Sequence, residues 1–377
     1  VRAVAAGGTH SCAILQAGLK CWGSNFFGVL GLGDLEARGD GPNEMGDELP
    51  LVDVGTGLRV ERIALGKDSH TCALLSNDSV KCWGDNDFGQ LGIGDFIDRG
   101  GYPMQMGDAL PAVDLGVGRV PVDLVAGTNH TCAIFPDGSL KCWGNNSNRQ
   151  LGIGDDYTRG GLVGDMGDAL PEVPLGGGRV KQVVAASVHT CALLQDGSVK
   201  CWGWQRGFED APVKPDEPVT TVYLPGGLSA RELGAGGAHT CAALSDGTVR
   251  CWAVTDHAFE PVDVMPAVMF QGTDEVARLG VAGGRGCALF AGGSVECWTI
   301  PEDGSAMRAE RLDLGRRALE MSVAGGRTRY HGCALLDDNS VKCWGQNDQG
   351  QLGTGDDVER TGIGGTPLVA VDLGSQG

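Results

Sequence analysis

The chain has 377 residues with 64 Gly, 16 Pro and 14 Cys and only 20% charged side chains, a load of turn formers that excludes a helical bundle or coiled coil. It carries 29 basic and 48 acidic side chains for a formal charge of −19, a field that repels phosphates and argues against nucleic acid or an anionic membrane surface as the main partner. The most apolar windows, such as Val264–Phe270, are too short to span a bilayer, and a chain that begins at Val1 leaves room for a removed leader.

Cys-Trp recurs at Cys21, Cys82, Cys142, Cys201, Cys251, Cys297 and Cys343, each with a second cysteine upstream at Cys12, Cys72, Cys132, Cys191, Cys241, Cys287 and Cys333. The gap is ten residues, except nine in the first copy, and the spacing between copies falls from 60 residues to 46. These are internal repeats of the consensus V-x-x-V-A-A-G-x-x-H-T-C-A-L-L-x-D-G-S-V-K-C-W-G, nearly whole in Val122–Gly144 and Val180–Gly203.

In each copy two strand-like runs flank x-D-G, a hairpin signal. A three-residue loop closed by Phe135 and Ser139, with Gly138 as the left-handed bulge residue, counts outward to place Cys132 opposite Cys142. The pair is then a non-hydrogen-bonded one, with Cα atoms about 4.5 Å apart, within disulfide range. In the first copy a two-residue loop, Gln16-Ala17, again sets Cys12 opposite Cys21. Metal binding is the rival reading, but zinc sites bring four ligands and each copy offers at most three. Seven disulfides and an oxidising compartment are the expectation. The recurrent His10, His70, His130, His189, His239 and His331, and the recurrent Trp, read as structural residues, the rings tying strands together and the indoles packing between repeats.

Seven copies of short strands indicate an all-β fold: a seven-bladed β-propeller, one domain over 1–377, with one disulfide per blade. The segment Thr366–Gly374 matches Leu110–Gly116 and Leu170–Gly176, which precede a V-x-x-V-A-A-G strand. The C-terminal strand is therefore expected to join Val1–Ala6 in one blade and lock the ring.

The chain resembles the regulator of chromosome condensation repeat family, whose G-x-x-H-[ST]-x-A-L, D-G-x-[VL]-x-x-W-G and N-x-x-G-Q-L-G patterns are met by Gly127–Ile134, Asp137–Gly144 and Asn86–Gly92. The resemblance covers essentially the whole chain and implies a seven-bladed propeller. Its disulfide-bearing form is similar to a secreted or surface-displayed bacterial branch that often begins as a lipoprotein. The family serves nucleotide exchange on a small GTPase, ultraviolet sensing and β-lactamase inhibition, so membership alone names no activity. A nuclear role conflicts with the cysteines, and the photoreceptor's G-W-R-H-T is absent from Gly127–Thr131.

After Cys-Trp-Gly, copies one, two, three and seven carry G-x-L-G-x-G-D-x-x-x-R at Gly28–Arg38, Gly89–Arg99, Arg149–Arg159 and Gly350–Arg360. In a ring these four are contiguous and form a crescent. The first three continue into M-G-D-x-L-P, and Gly33–Leu58 holds seven acids against one Arg. Two readings of the acids stand side by side. Asp34, Glu36, Asp40 and Asp47 are candidates for a calcium ion, whereas the shared Asp-x₃-Arg spacing suggests internal ion pairs. Asp95, Asp98, Asp108, Asp155, Asp156, Asp168, Asp356 and Asp357 are candidates for partner contact, as are Trp204, Phe208 and Phe259, which break the repeat in copies four and five.

No nucleophile, zinc-protease or phosphate-loop signature occurs, so the chain is read as a non-enzyme without a resident cofactor. The expectation is a monomeric, secreted or surface protein-binding or adhesion scaffold. An inhibitor of an extracellular enzyme and a hydrolase or lyase acting on an extracellular polymer are the alternatives.

Overall fold

The computed structural model describes the chain apart from residues 68–69, 204–217, 256–257, 260–265, 302–303, 327–328, 364–366 and 376–377, with backbone alone at 254–255 and 258–259. It contains seven antiparallel sheets. The first three are β1 (Ala3–Ala6), β2 (His10–Ile14) and β3 (Leu19–Gly23); β4 (Val60–Leu65), β5 (His70–Leu75) and β6 (Val80–Gly84); and β7 (Asp123–Ala126), β8 (His130–Ile134) and β9 (Leu140–Gly144). The fourth is β10 (Val180–Ala185), β11 (His189–Leu194), β12 (Val199–Gly203) and β13 (Thr220–Val222). The fifth is β14 (Ala230–Gly236), β15 (His239–Leu244), β16 (Val249–Thr255) and β17 (Ala258–Phe259). The sixth is β18 (Val276–Ala282), β19 (Arg285–Phe290), β20 (Val295–Thr299) and β21 (Glu310–Arg311), and the seventh β22 (Ala318–Ala324), β23 (His331–Leu336) and β24 (Val341–Gly345).

Turn chemistry sets the hairpin register. Phe135 N–H donates to Ser139 at 3.0 Å and Gly138 N–H to Phe135 at 2.9 Å, with Gly138 at φ +82°. The same position is held by Asp78 and Asn339, at φ +67° and +65°, residues that tolerate this region better than most. In the first blade Leu15 N–H reaches Gly18 at 2.7 Å across the two-residue loop. Every cysteine of the middle strand therefore faces the cysteine of the next. The seven bridges have Cα separations of 3.9–4.1 Å.

The expected closure by a shared blade does not occur. β1 pairs with β2 alone, while Val371 N–H donates to Val341 at 2.8 Å and Ala370 bridges Lys342, on β24. The reason lies in how a blade is built. Its outer edge is the segment following its own hairpin, as Val52 on Leu19 and Val113 on Val80 show at 2.8 Å each. Each blade is thus made of one continuous stretch of chain.

The ring is joined by packing instead. Each of the seven apolar clusters draws on two neighbouring blades. Trp83, for example, packs on Leu19, Val29 and Val52 of the blade before, and Val4 and Trp22 pack on Leu335 and Val371. Backbone bonds repeat the pattern: Gly46 N–H reaches Asp372, Gly107 reaches Asp53 and Gly167 reaches Asp114, each at 3.0 Å. Blade seven meets blade one as one meets two. No helix among the described residues is long and apolar enough to cross a membrane.

Candidate functional site

Each of the four long loops is built from the same three anchors. The Arg of Asp-x₃-Arg pairs its backbone with the Gly of Cys-Trp-Gly, as Arg38 does with Gly23 and Arg99 with Gly84. Its guanidinium donates to the Asp four residues earlier: Arg38 to Asp34 at 2.7 Å, Arg99 to Asp95 and Arg159 to Asp155 at 2.6 Å, Arg360 to Asp356 at 2.7 Å. An asparagine closes the turn. Asn86 Oδ1 accepts Leu91 N–H at 3.1 Å while its amide donates to the Asp95 carbonyl at 2.8 Å, and Asn25, Asn146 and Asn347 do likewise. The Arg360 contact holds the Asp356 carboxyl well below the usual range.

The loops also dock on one another. Gly355 N–H donates to Gly39, Gly33 to Gly100 and Gly94 to Gly160, at 2.9–3.0 Å. These bonds link blades seven, one, two and three in order, as the crescent requires. A Cβ on Gly28 or Gly89 would lie 2.0 or 2.4 Å from the backbone of Gly101 or Gly161. Arg149 takes the corresponding position in the third loop at φ +61°, and the sequence of the next blade lacks the motif.

Beneath the loops a relay crosses each joint. The carbonyl of Gln90 accepts both Trp143 Nε1–H at 2.9 Å and Thr131 O–H at 3.0 Å, and that hydroxyl oxygen faces His70 Nε2 at 3.1 Å. Because the hydroxyl donates to the carbonyl, the imidazole supplies its Nε2 proton, and burial keeps the ring neutral. Gln351 with Trp22, Ser11 and His331, and Gln150 with Trp202, Thr190 and His130, repeat the arrangement. Val29 does so with Trp83, Thr71 and His10. Burial, first among the causes, lowers the pKa of His10, His130 and His189 to about 3 and of His70 and His331 to about 4. Where the preceding loop has lost its motif, the indole N–H groups of Trp252, Trp298 and Trp344 have no partner among the described residues. The histidines and tryptophans are thus structural, though they join blades and not only strands.

The candidate acids fare unequally. Asp34 faces Arg38, Asp47 accepts Ser375 N–H at 2.8 Å, and Asp40 lies beside the Glu44 carboxylate, burial and that contact raising its pKa. Glu36 is exposed. The structure does not bring these four together. Among the described residues, the acidic oxygens near enough to share an ion belong to Asp85, Asp87 and Asp98; burial raises the Asp98 pKa, and its carboxylate accepts Asn86 N–H at 2.9 Å. Asp108 accepts the Thr56 hydroxyl at 2.6 Å and the Thr56 N–H at 2.9 Å, which lower its pKa in that order, and Asp168 accepts Val117 N–H at 3.1 Å. Asp156 and Asp357 are exposed. Trp204 and Phe208 lie outside the described residues, as does the side chain of Phe259.

Sequence reasoning missed two sets of residues. The crescent displays large apolar side chains: Phe26 at 68% exposure, Tyr102 at 60%, Met104 at 88%, Tyr157 at 69% and Val163 at 96%, with Leu35, Phe96, Ile97 and Leu162 also exposed. Their signal is that they vary at aligned loop positions while the Gly, Asp and Arg do not. The second set sits on the first strands, at one aligned position: Arg62, Asp123, Gln182, Glu232, Arg278 and Glu320.

Comparison with known proteins agrees with the fold. Residues 1–29, 60–90, 122–150, 180–206 and 322–351 match the Regulator of chromosome condensation (RCC1) repeat, and residues 77–134 match a second profile of the same repeat. The chain is a β-propeller, and these segments of it match that repeat. Within this class it is similar to the ultraviolet-B receptor UVR8 of Arabidopsis thaliana, 33% identical over 54% of this chain and 41% of the receptor. It is likewise 34% identical to the human E3 ubiquitin-protein ligase HERC2 over 53% of this chain and 4% of the ligase. The match thus spans less than half of either relative. Among solved structures, human WBSCR16 superposes with a TM-score of 0.67 at 19% identity, covering 93% of this chain and 92% of that one. Yeast Prp20p, from a study of its binding to Gsp1p and histones, gives 0.53 at 20% identity over 98% and 76%.

Proposed function

We propose that the chain is an extracellular protein-binding or adhesion scaffold whose partner seats on the crescent. The observation that carries this reading is the concentration of exposed aromatic and aliphatic side chains on loops rigidly docked to one another. Apolar anchors on a fixed frame, ringed by charge, are what a protein interface needs. The unpaired acids beside them, Asp156 and Asp357 among them, favour a partner surface rich in Lys and Arg.

Seven disulfides support an oxidising, extracellular setting, and a secreted, surface-anchored bacterial protein is the form we favour. UVR8 and HERC2 bear the names of a receptor and a ligase at nearly equal identity, which supports a shared binding scaffold over a shared reaction.

Because the loops clasp neighbouring blades, deleting them would disturb the frame. The test is a pull-down from surface and culture fractions with the intact chain and with a variant carrying Tyr102→Ser, Met104→Ser, Tyr157→Ser and Val163→Ser. A partner held by the first bait and lost from the second, with capture weakening as salt rises, supports the reading. Equal retention by both baits rejects it. If the retained protein is an enzyme, an activity assay with and without the propeller separates inhibition from adhesion.

A further inference from the structure

The first strands of blades three to seven enclose a cavity of about 500 Å³ along the central axis, and Lys67, in the turn after β4, lines it too. That turn carries Thr128, Ser187, Gly237 or Gly283 in other blades, so blade two alone among these places a cation there. Among the described residues, no hydrogen bond or ion pair is made by the Lys67 ammonium. It lies close enough to His130 and His189 to depress their pKa values further, and burial lowers its own to about 8. Both imidazoles are neutral and supply no counter-charge.

The same cavity is lined by Asp123, Glu232, Gln182 and Arg278. Asp123 accepts its neighbour Leu124's N–H at 3.0 Å, and burial raises its pKa despite Arg62 and Arg278 nearby. Glu232 is engaged by Gln182 at 3.1 Å and by Arg278 at 3.7 Å, and the Lys181 ammonium is spent on the Arg231 carbonyl at 2.8 Å. Among the described residues the cavity thus holds an ammonium without a counter-ion and a solvent-exposed carboxylate, Asp123, without a side-chain donor.

We propose that the central channel binds a small zwitterion of the amino-acid class, its carboxylate on Lys67 and its ammonium on Asp123. A zwitterion satisfies both groups and, having no net charge, is not repelled by a chain of charge −19. The cavity volume falls in the range of small-molecule sites. The site is separate from the crescent, so either proposal can fail alone.

The test is saturation-transfer NMR and calorimetry on the full chain with glycine, γ-aminobutyrate, acetate and methylammonium. The variants are Lys67→Met, which keeps the aliphatic stem, and Asp123→Asn, both checked for unchanged circular dichroism and Tm. The expected result is saturable binding of a zwitterion that weakens about tenfold or more in each variant, with acetate and methylammonium bound at least about tenfold more weakly. Absence of saturable binding, indifference to Lys67→Met, or acetate binding as tightly as the zwitterions overturns the proposal. If either variant misfolds, protection of the Lys67 amine from acetic anhydride by a betaine zwitterion in the unmodified chain decides the same question, no protection counting against it.

Discussion

At the scale of single residues, one backbone carbonyl does the joining. Gln90, Gln150, Gln351 and Val29 each accept an indole N–H and a hydroxyl from the following blade, so indoles with and without an acceptor can be compared in one molecule. Trp83→Phe and Trp143→Phe leave a buried carbonyl short of a donor and are expected to cost about 1–2 kcal/mol more than Trp298→Phe and Trp344→Phe, measured by urea unfolding. The neutral histidines make a second prediction. Their folded pKa values of about 3–4 lie below the ordinary 6.5. The unfolded chain therefore binds more protons as pH falls below 6.5, and stability declines through that window until the folded values are passed. The slope of unfolding free energy against pH between 6 and 4 should report uptake of more than one proton, and a flat profile would contradict the relay. Recurrence reads these side chains as structural but is silent on which carbonyl they meet, because that contact crosses blades, 40 to 54 residues apart in sequence and 329 and 340 where blade one meets blade seven.

At the scale of elements, local rules were legible and contacts between loops were not. Alternation and turn length place Cys132 opposite Cys142 because both act within one hairpin, and the four-residue spacing of Asp and Arg anticipates their ion pairs. The docking of one loop on the next joins Gly33 to Gly100, Gly94 to Gly160 and Gly355 to Gly39, far apart in sequence, and the apolar display is masked in the sequence by the charge of the same loops. The clash at the docking glycines gives a sharp contrast. Gly89→Ala sets a Cβ 2.4 Å from the Gly161 amide and is expected to cost about 1–3 kcal/mol, whereas Arg149→Gly removes a left-handed arginine from an end of the crescent and should be stabilising or neutral within about 1 kcal/mol. Thermal unfolding of the two variants checks both signs. Because Asp34 is held by Arg38 and the four first-loop acids do not converge, removing calcium with a chelator is expected to leave Tm unchanged. A large drop would restore a calcium site to the crescent.

At the scale of the whole molecule, the number of blades and their bridges follow from counting, yet where one blade ends and the next begins does not. A repeat of fixed period can be cut at any phase, and Thr366–Gly374 fits equally as the last edge of blade seven or the first of blade one until hydrogen bonds decide. Each bridge closes a loop of about ten residues and contributes about 2–3 kcal/mol by the chain-entropy estimate. Reduction should therefore lower Tm markedly in proportion to bridges opened, and titration of the native protein should find no free thiols among its 14 cysteines.

That every blade is a single uninterrupted stretch also bears on how the molecule comes into being. A propeller that borrows its last strand from its first residues must hold a blade open until synthesis ends. Here no blade waits on the far end of the chain, and each bridge joins a cysteine to the very next one to emerge. Oxidation can proceed in step with the growing polypeptide, one hairpin at a time, without a later exchange of partners.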